Sequence, residues 1–380
     1  MLPSFYEQKE IQNREAFVSA LWRGEGTKKV AFQIVPLADG ELKYSEKEIE
    51  ENPQKSIDMQ LEYLKKRAVC DDYYIPLLVP FGSVLVIASA FGGRIICVDD
   101  NTPPWIEPIL ENASQANRLK TPNLDDGLIP TALKSAEYFS VISEGAYPIR
   151  AINHQGPFTN ACYLLGDTQI MLDMNDHPRQ LHFLLEMITE LMIKFIHAQK
   201  KRIEKFIPNI FYPDWMPFDL GIGVADDFLA ILSPELYQEF GVPYNNVLSE
   251  EFDGIHLHSC GKWEHNFETV LKHKNLRGVN MDASQNDMNK AMEVFSGKAL
   301  VVPQPGLHLH FIEKFKDTRR YVQNLLKLKK DNTALYIVLE EGAFNPISAK
   351  SISCDVEIFN EAIKLVREYN NAISDSTPTR

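Results

Sequence analysis

Five alternations of a short apolar run with a helical pattern fill the second half of the chain, and they leave few folds open. The runs are "DLGIGVADD" (219–227), "GIHLHSC" (254–260), "RGVNMDA" (277–283), "ALVVPQP" (299–305) and "ALYIVLEE" (334–341). Each is followed by apolar residues at helical spacing, the last set in "DVEIFNEAIKLVREY". Ser233 and Pro234 supply an N-cap and a first helical residue after the first run. Strands joined by helices run parallel and are covered by those helices. Upstream, "KVAFQIV" (29–35) and "YPIRAIN" (147–153) read as strands, and 55–68 as a helix. Residues 177–203 form the longest helix, whose stripe of Leu181, Leu184, Leu185, Ile188, Leu191, Met192 and Phe195 is core. About eight such units favour a closed (β/α)8 TIM barrel over an open sheet. Residues 41–144 carry too many loops for barrel units alone and are expected as an insertion or N-terminal cap over the barrel mouth. One domain then spans 1–370, and the polar stretch 371–380 is expected to be disordered.

Charge and cysteine content narrow the function. A net charge of −13 makes the chain a poor counterion for phosphate, so nucleic acid is not an expected partner. No basic amphipathic helix suggests a membrane surface. The longest uncharged stretch, 75–93, is broken by Pro76, Pro80, Gly82, Gly92 and Gly93 and reads as buried strand and loop. Five scattered cysteines argue against a disulfide framework, and the charged N-terminus does not read as a signal peptide; a cytoplasmic protein is expected.

In a parallel barrel, chemistry sits where strands end at their carboxyl termini. Asp226, Asp227, His258, Cys260, Asp282, Gln304, Glu340 and Glu341 fall at such ends. His256, His258 and Cys260 occupy every second position, so all three face one side of a strand. His258 and Cys260 are zinc-type ligands, while His256 lies deeper and suits the core or a supporting position. A third ligand must come from another strand end. Glu340 or Glu341 is preferred over Cys354, which lies well past its strand. The Asp226–Asp227 pair is a candidate for proton transfer, with capping or substrate binding as the plainer role. Asn153 and His154 precede a tight Gly156-Pro157 turn and, with Asp282 and Gln304, are candidate substrate contacts. No phosphate-cradling glycine loop of the G-x-x-x-x-G-K-[ST] or G-x-G-x-x-G type is present.

With "GPFTNACYLLG", "ADDFLAILSPELYQEFGVPY", "GIHLHSCG" and "VPQPG" in this order, the chain resembles the uroporphyrinogen decarboxylase superfamily, and within it the corrinoid-dependent methyltransferase branch. The resemblance implies a (β/α)8 barrel. It implies zinc held by His258 and Cys260, with Glu340 or Glu341 standing where the branch has a later cysteine. It also implies transfer of a methyl group between a corrinoid on a separate partner protein and a small thiol or O- or S-methyl compound. The arginine-rich "RQAGRY"-like segment of true decarboxylases is replaced by "REAFVSALWRGEG". A decarboxylase acting through Asp226 or Asp227, and a catalytically silent binding protein, are the alternatives. A homodimer is left open.

Overall fold

The expected strands form, with ends shifted by three residues at most. The computed structural model describes residues 2–35, 46–97, 104–340 and 357–375. Its strands are β1 (Val30–Val35), β2 (Ile95–Ile96), β3 (Trp105–Ile106), β4 (Ile149–Arg150), β5 (Phe206–Ile207), β6 (Ile222–Ala225), β7 (Ile255–Ser259), β8 (Leu276–Asp282), β9 (Leu300–Gln304) and β10 (Leu335–Glu340). Six of them form one parallel sheet in the order β1-β10-β9-β8-β7-β6. The ring continues past both edges. Gly223 N donates to Pro208 O, which joins β6 to the parallel β4–β5 pair. Leu78 bridges Ile149 in parallel, and Tyr73 N donates to Phe32 O, which returns the ring to β1. The fold is a (β/α)8-type TIM barrel.

The helices in chain order are α1 (Gln8–Trp22), α2 (Glu46–Glu51), α3 (Gln54–Arg67), α4 (Val86–Ser89), α5 (Ile129–Ser143), α6 (Pro157–Leu165), α7 (Asp167–Asp176), α8 (Pro178–Arg202), α9 (Pro234–Phe240), α10 (Val242–Phe252), α11 (Phe267–Val270), α12 (Met288–Phe295), α13 (His308–Phe315), α14 (Thr318–Leu328) and α15 (Glu357–Asp375). Ser233 caps α9 by accepting from Leu236 N at 3.3 Å, as its spacing predicts. The single helix read after it is two, α9 and α10, because Gly241 and Pro243 interrupt the run. α15 reaches Asp375, so 371–375 is helical rather than disordered: Tyr369 and Ile373 extend the i, i+4 spacing of the helix by another turn. Residues 376–380 lie outside the described residues.

The region 41–144 is mixed. α3 and the Leu78 segment belong to the barrel wall, while 80–128 holds α4, the antiparallel β2–β3 pair and a 3-10 turn at Ala113–Arg118. This irregular layer is tied to the α6–α8 side: Ile109 N and Leu110 N donate to Leu164 O, and Ala113 N donates to Asp173.

The pleat divides the side chains of the sheet into two sets. Ile222, Val224, Ile255, Leu257 and Val279 join the large core between sheet and helices. Ala31, Leu300, Val302, Tyr336 and Val338 point into the barrel with Val18, Leu21 and Trp22 of α1, together with Met216 and Leu220. α1 therefore plugs the amino end of the barrel, and the carboxyl ends of the strands form the polar mouth. No helix among the described residues is long and apolar enough to cross a membrane.

Candidate metal centre

Register decides which donors meet. Ala225 pairs with His258, and His258 with Asn280, so the inward residues of β6, β7 and β8 stand side by side. One step further along the same face come Asp227, Cys260 and Asp282. Gly261, at φ +76°, then turns the chain away, a conformation L side chains adopt rarely. Asp227, His258 and Cys260 each offer a ligand atom, and these atoms all lie within 4.8 Å of one another. His258 Nε2 is 3.2 Å from Cys260 Sγ and 3.8 Å from Asp227 Oδ1. Zinc–ligand lengths of about 2.0–2.3 Å give a tetrahedron with edges of roughly 3.5 Å, so the nitrogen–sulfur–oxygen set suits zinc in spacing as well as in chemistry.

The ring of His258 is fixed from three sides. Its Nδ1 lies 2.5 Å from Asn280 Oδ1, while Asn280 Nδ2 donates to Val302 O at 2.9 Å. That carbonyl can only accept, so the Asn280 amide is oriented and its oxygen must receive the Nδ1 proton. Nε2 is left with its lone pair toward Asp227 and Cys260, the tautomer a metal ligand needs. Phe211 stacks on the ring with centroids 3.8 Å apart. Cys260 N donates to Asp227 Oδ1 at 3.0 Å, which holds that carboxylate at the cluster.

Electrostatics favour a cation here. Burial, with Asp227 and Asp282 beside it, pushes the Cys260 thiol well above its ordinary range. Burial pulls the His258 imidazole down, against the pull of Asp227. Burial and Asp282 push the Glu340 carboxyl up. The strand ends thus form an acidic bowl whose thiol stays protonated without a counter-charge, and a divalent ion would displace that proton.

Not every expected residue joins the group. Glu340 faces the mouth but lies on β10, separated from β7 by β8 and β9, and falls outside the gathered donors. The carboxylate in ligand position is Asp227. Glu341 and Cys354 lie outside the described residues. Asp226 turns the other way. It is fully buried behind the sheet, where Asn245 Nδ2 donates to its Oδ2 at 3.0 Å and its Oδ1 has no partner among the described residues, so it forms no pair with Asp227. Asp282 Oδ2 accepts from Gln285 at 2.9 Å, and its Oδ1 accepts from Gln304 Nε2 at 2.7 Å, which ties those two expected contacts together at the rim. Asn153 accepts from Gln155 N at 2.9 Å. His154 is buried against Gln155 O with no partner for Nε2, and burial lowers its pKa to about 4. His256 is core, edge-on to Trp22 at 5.0 Å and bonded to Tyr212 O at 2.8 Å. Asn280 and Phe211 were not anticipated. Asn280 shares the parity of Asp282 in "RGVNMDA", a signal that could have marked it.

Comparisons with known proteins fall into two parts. Residues 38–203 match the family model described as uroporphyrinogen decarboxylase (URO-D); the match ends before the metal-type cluster begins. Uroporphyrinogen decarboxylase of Xanthomonas campestris pv. campestris is 22% identical over 208 residues, which is 53% of this chain and 52% of the relative. The protein of the same name from Xanthomonas axonopodis pv. citri gives the same figures. The match therefore spans about half the length of these relatives. In three dimensions a methyltransferase from Methanosarcina mazei superposes with a TM-score of 0.62 at 16% identity, covering 95% of this chain and 99% of that one, a likeness of fold.

Proposed function

We propose that this chain, of the uroporphyrinogen decarboxylase superfamily by sequence signature and by fold, is a zinc-dependent methyltransferase that works with a corrinoid carried on a separate protein. The observation that carries the reading is the convergence of Asp227, His258 and Cys260 at the barrel mouth. Three protein ligands leave one position for a substrate atom, the arrangement of a catalytic rather than a structural site. Zinc, when bound, would lower the pKa of a thiol substrate or polarise an ether or thioether oxygen or sulfur. The protein's own groups do the rest. Asn280 keeps His258 Nε2 unprotonated, Phe211 holds the ring plane, and the Cys260 backbone positions the Asp227 carboxylate. The methyl group moves between a small thiol or an O- or S-methyl compound and the corrinoid, whose protein would dock on the mouth.

The relatives' name suggests a decarboxylase of a polyanionic tetrapyrrole, and the described mouth suits it poorly. Its rim carries Asp227, Asp282 and Glu340. Arg14 is committed inside the wall to Tyr74 O, Glu10 and Asp72, and Arg23 pairs with Asp219 at the opposite end of the barrel. Elemental analysis of the untagged protein should find about one zinc per chain. The cobalt absorbance of a methylated corrinoid protein should change on adding a thiol acceptor. Turnover of uroporphyrinogen in the presence of chelator would overturn the assignment.

A further inference from the structure

A cavity of about 300 Å³, sharing no lining residue with the candidate metal centre, is formed by residues of β1, α3, the Leu77–Val79 segment and the loop that carries Tyr212 and Asp214. That loop links the two sites: Phe211 stacks on His258, and Tyr212 lines the cavity. The volume is at the low end for small-ligand sites, about 300–1,000 Å³, and too small for a tetrapyrrole.

The polar groups of its wall are nearly all spoken for. Arg67 is paired with Asp72 at 2.7 Å and also bonds Ile34 O; its Nε lacks a partner but is closed to solvent. Asp214 takes Arg150 at 2.5 Å and Gln33 at 3.2 Å, and Gln33 Oε1 accepts from Tyr336. Gln60 is bound to the backbone of Val79 through both ends of its amide. The hydroxyls of Tyr63, Tyr74 and Tyr212 remain, with no hydrogen-bond partner among the described residues; the Tyr74 ring packs under the Arg67 guanidinium at 3.9 Å. Ile34, Val35, Leu64, Leu77 and Val79 make the rest of the wall apolar.

We propose that this cavity seats the methyl-bearing small molecule, and that it selects an uncharged ligand with an apolar body and one or two hydrogen-bond acceptors. The proposal rests on the methyltransferase reading and adds the class of ligand. An ion of either sign would find no unpaired counter-charge among the described residues of the wall and would have to shed its hydration without compensation from them. Tyr63 and Tyr212 supply two phenolic donors for an ether, carbonyl or hydroxyl oxygen. Burial pushes Tyr63 up to about 12, against the Arg67 guanidinium, and Tyr212 higher still, with Glu340 and Asp214 beside it, so both stay protonated donors at neutral pH.

Three probes of one shape and different charge test this: 4-methoxybenzyl alcohol, 4-methoxybenzoate and 4-methoxybenzylammonium, titrated calorimetrically into the full chain with zinc and after chelation. The alcohol is expected to bind at least about tenfold more tightly than either ion, with or without metal. Tyr63→Phe and Tyr212→Phe should each weaken it roughly three- to tenfold, the worth of one hydrogen bond, with thermal unfolding showing that the variants fold. An ion that binds as well as the alcohol, no saturable binding, or unchanged affinity in both Phe variants would overturn the proposal. Selective binding without methyl transfer in the zinc-loaded protein would keep the pocket and remove the methyltransferase reading. Transfer from an ionic donor would keep that reading and remove the pocket.

Discussion

Asp226 and Asp227 are neighbours in the chain and belong to different worlds. Behind the sheet, Asp226 sits in a closed polar layer: Asn245 Nδ2 donates to it at 3.0 Å and to Tyr237 Oη at 3.1 Å, and Tyr237 Oη lies 2.9 Å from His273 Nε2. Burial pushes the Asp226 carboxyl up to about 6. On the mouth side, Asp227 is half-buried and stands with a thiol and an imidazole that share it as a neighbour. One residue of pleat separates polar groups enclosed between sheet and helices from polar groups that face the mouth. The contrast teaches that burial alone does not mark a site. Asp226 Oδ1, Asn245 Oδ1 and His273 Nδ1 are buried without a partner among the described residues and gather no metal-type set, whereas an imidazole, a thiol and a carboxylate converge at the mouth.

The largest expected effect breaks the mouth alone. His258→Ala or Cys260→Ala should abolish zinc retention and reduce methyl transfer on the order of 10³-fold, the several kcal/mol a Lewis acid supplies; the thermal midpoint of the chelated protein barely moves for the exposed Cys260, and falls for His258, whose buried ring stacks on Phe211 and bonds Asn280. Elemental analysis and a calorimetric scan of the same samples check it. The mirror experiment breaks the outer layer. Asn245→Leu strips a partner from the buried Asp226 and should cost about 2–3 kcal/mol of stability in urea unfolding, with zinc content retained. If Asn245→Leu loses the metal and Cys260→Ala loses the fold, the two faces have been assigned the wrong way round.

The second half of the barrel was legible because its strands are long enough to show a pattern. β6, β7, β9 and β10 fall inside the apolar runs read for them, β8 starts one residue before its run, and α8 (178–202) matches the long helix read at 177–203. β5 was missed, while the Leu78 segment lies inside 75–93, read only as buried strand and loop without placement in the barrel. Each contributes one or two paired residues, near Pro76, Pro80 and Pro208, and so carries neither periodicity nor length. The site was half legible. His258 and Cys260 follow from alternation within one strand. The role of Asp227 depends on parity between strands: Ile222 and Val224 face the helices, so Asp226 does too and Asp227 faces the mouth. Glu340 has the right parity and the wrong neighbour, since strand order is set by the register of the whole sheet.

A smaller effect sharpens the mouth side. Asn280→Ala leaves all three ligands in place but frees the His258 ring and its tautomer. Zinc affinity, measured by competition with a chromogenic chelator, should fall about 10- to 100-fold, as for other groups that orient a metal-bound histidine. Unchanged affinity would mean that Phe211 stacking alone fixes the ring.

The smallest effect reads the outer layer by pH. His273 is buried against Tyr237, and burial lowers its imidazole to about 3, far under its ordinary value. A histidine depressed in the folded state gives stability that is fully present above its unfolded pKa, near 6.5. That stability is lost as pH falls toward the folded value, because the unfolded chain takes up the proton first. Between pH 7 and pH 5 the loss from this one residue is about 2 kcal/mol, roughly 1.5 units at 1.36 kcal/mol each. His154 and His256, each lowered to about 4 by burial, add slopes of the same sign, so only a difference isolates His273. His273→Gln keeps a hydrogen-bonding group for Tyr237 and does not titrate. Urea unfolding at pH 7 and pH 5 should therefore show the wild type losing about 2 kcal/mol more than the variant over that interval. Equal losses would mean that the imidazole protonates in place, and that the layer behind the sheet is more open to water than the mouth it supports.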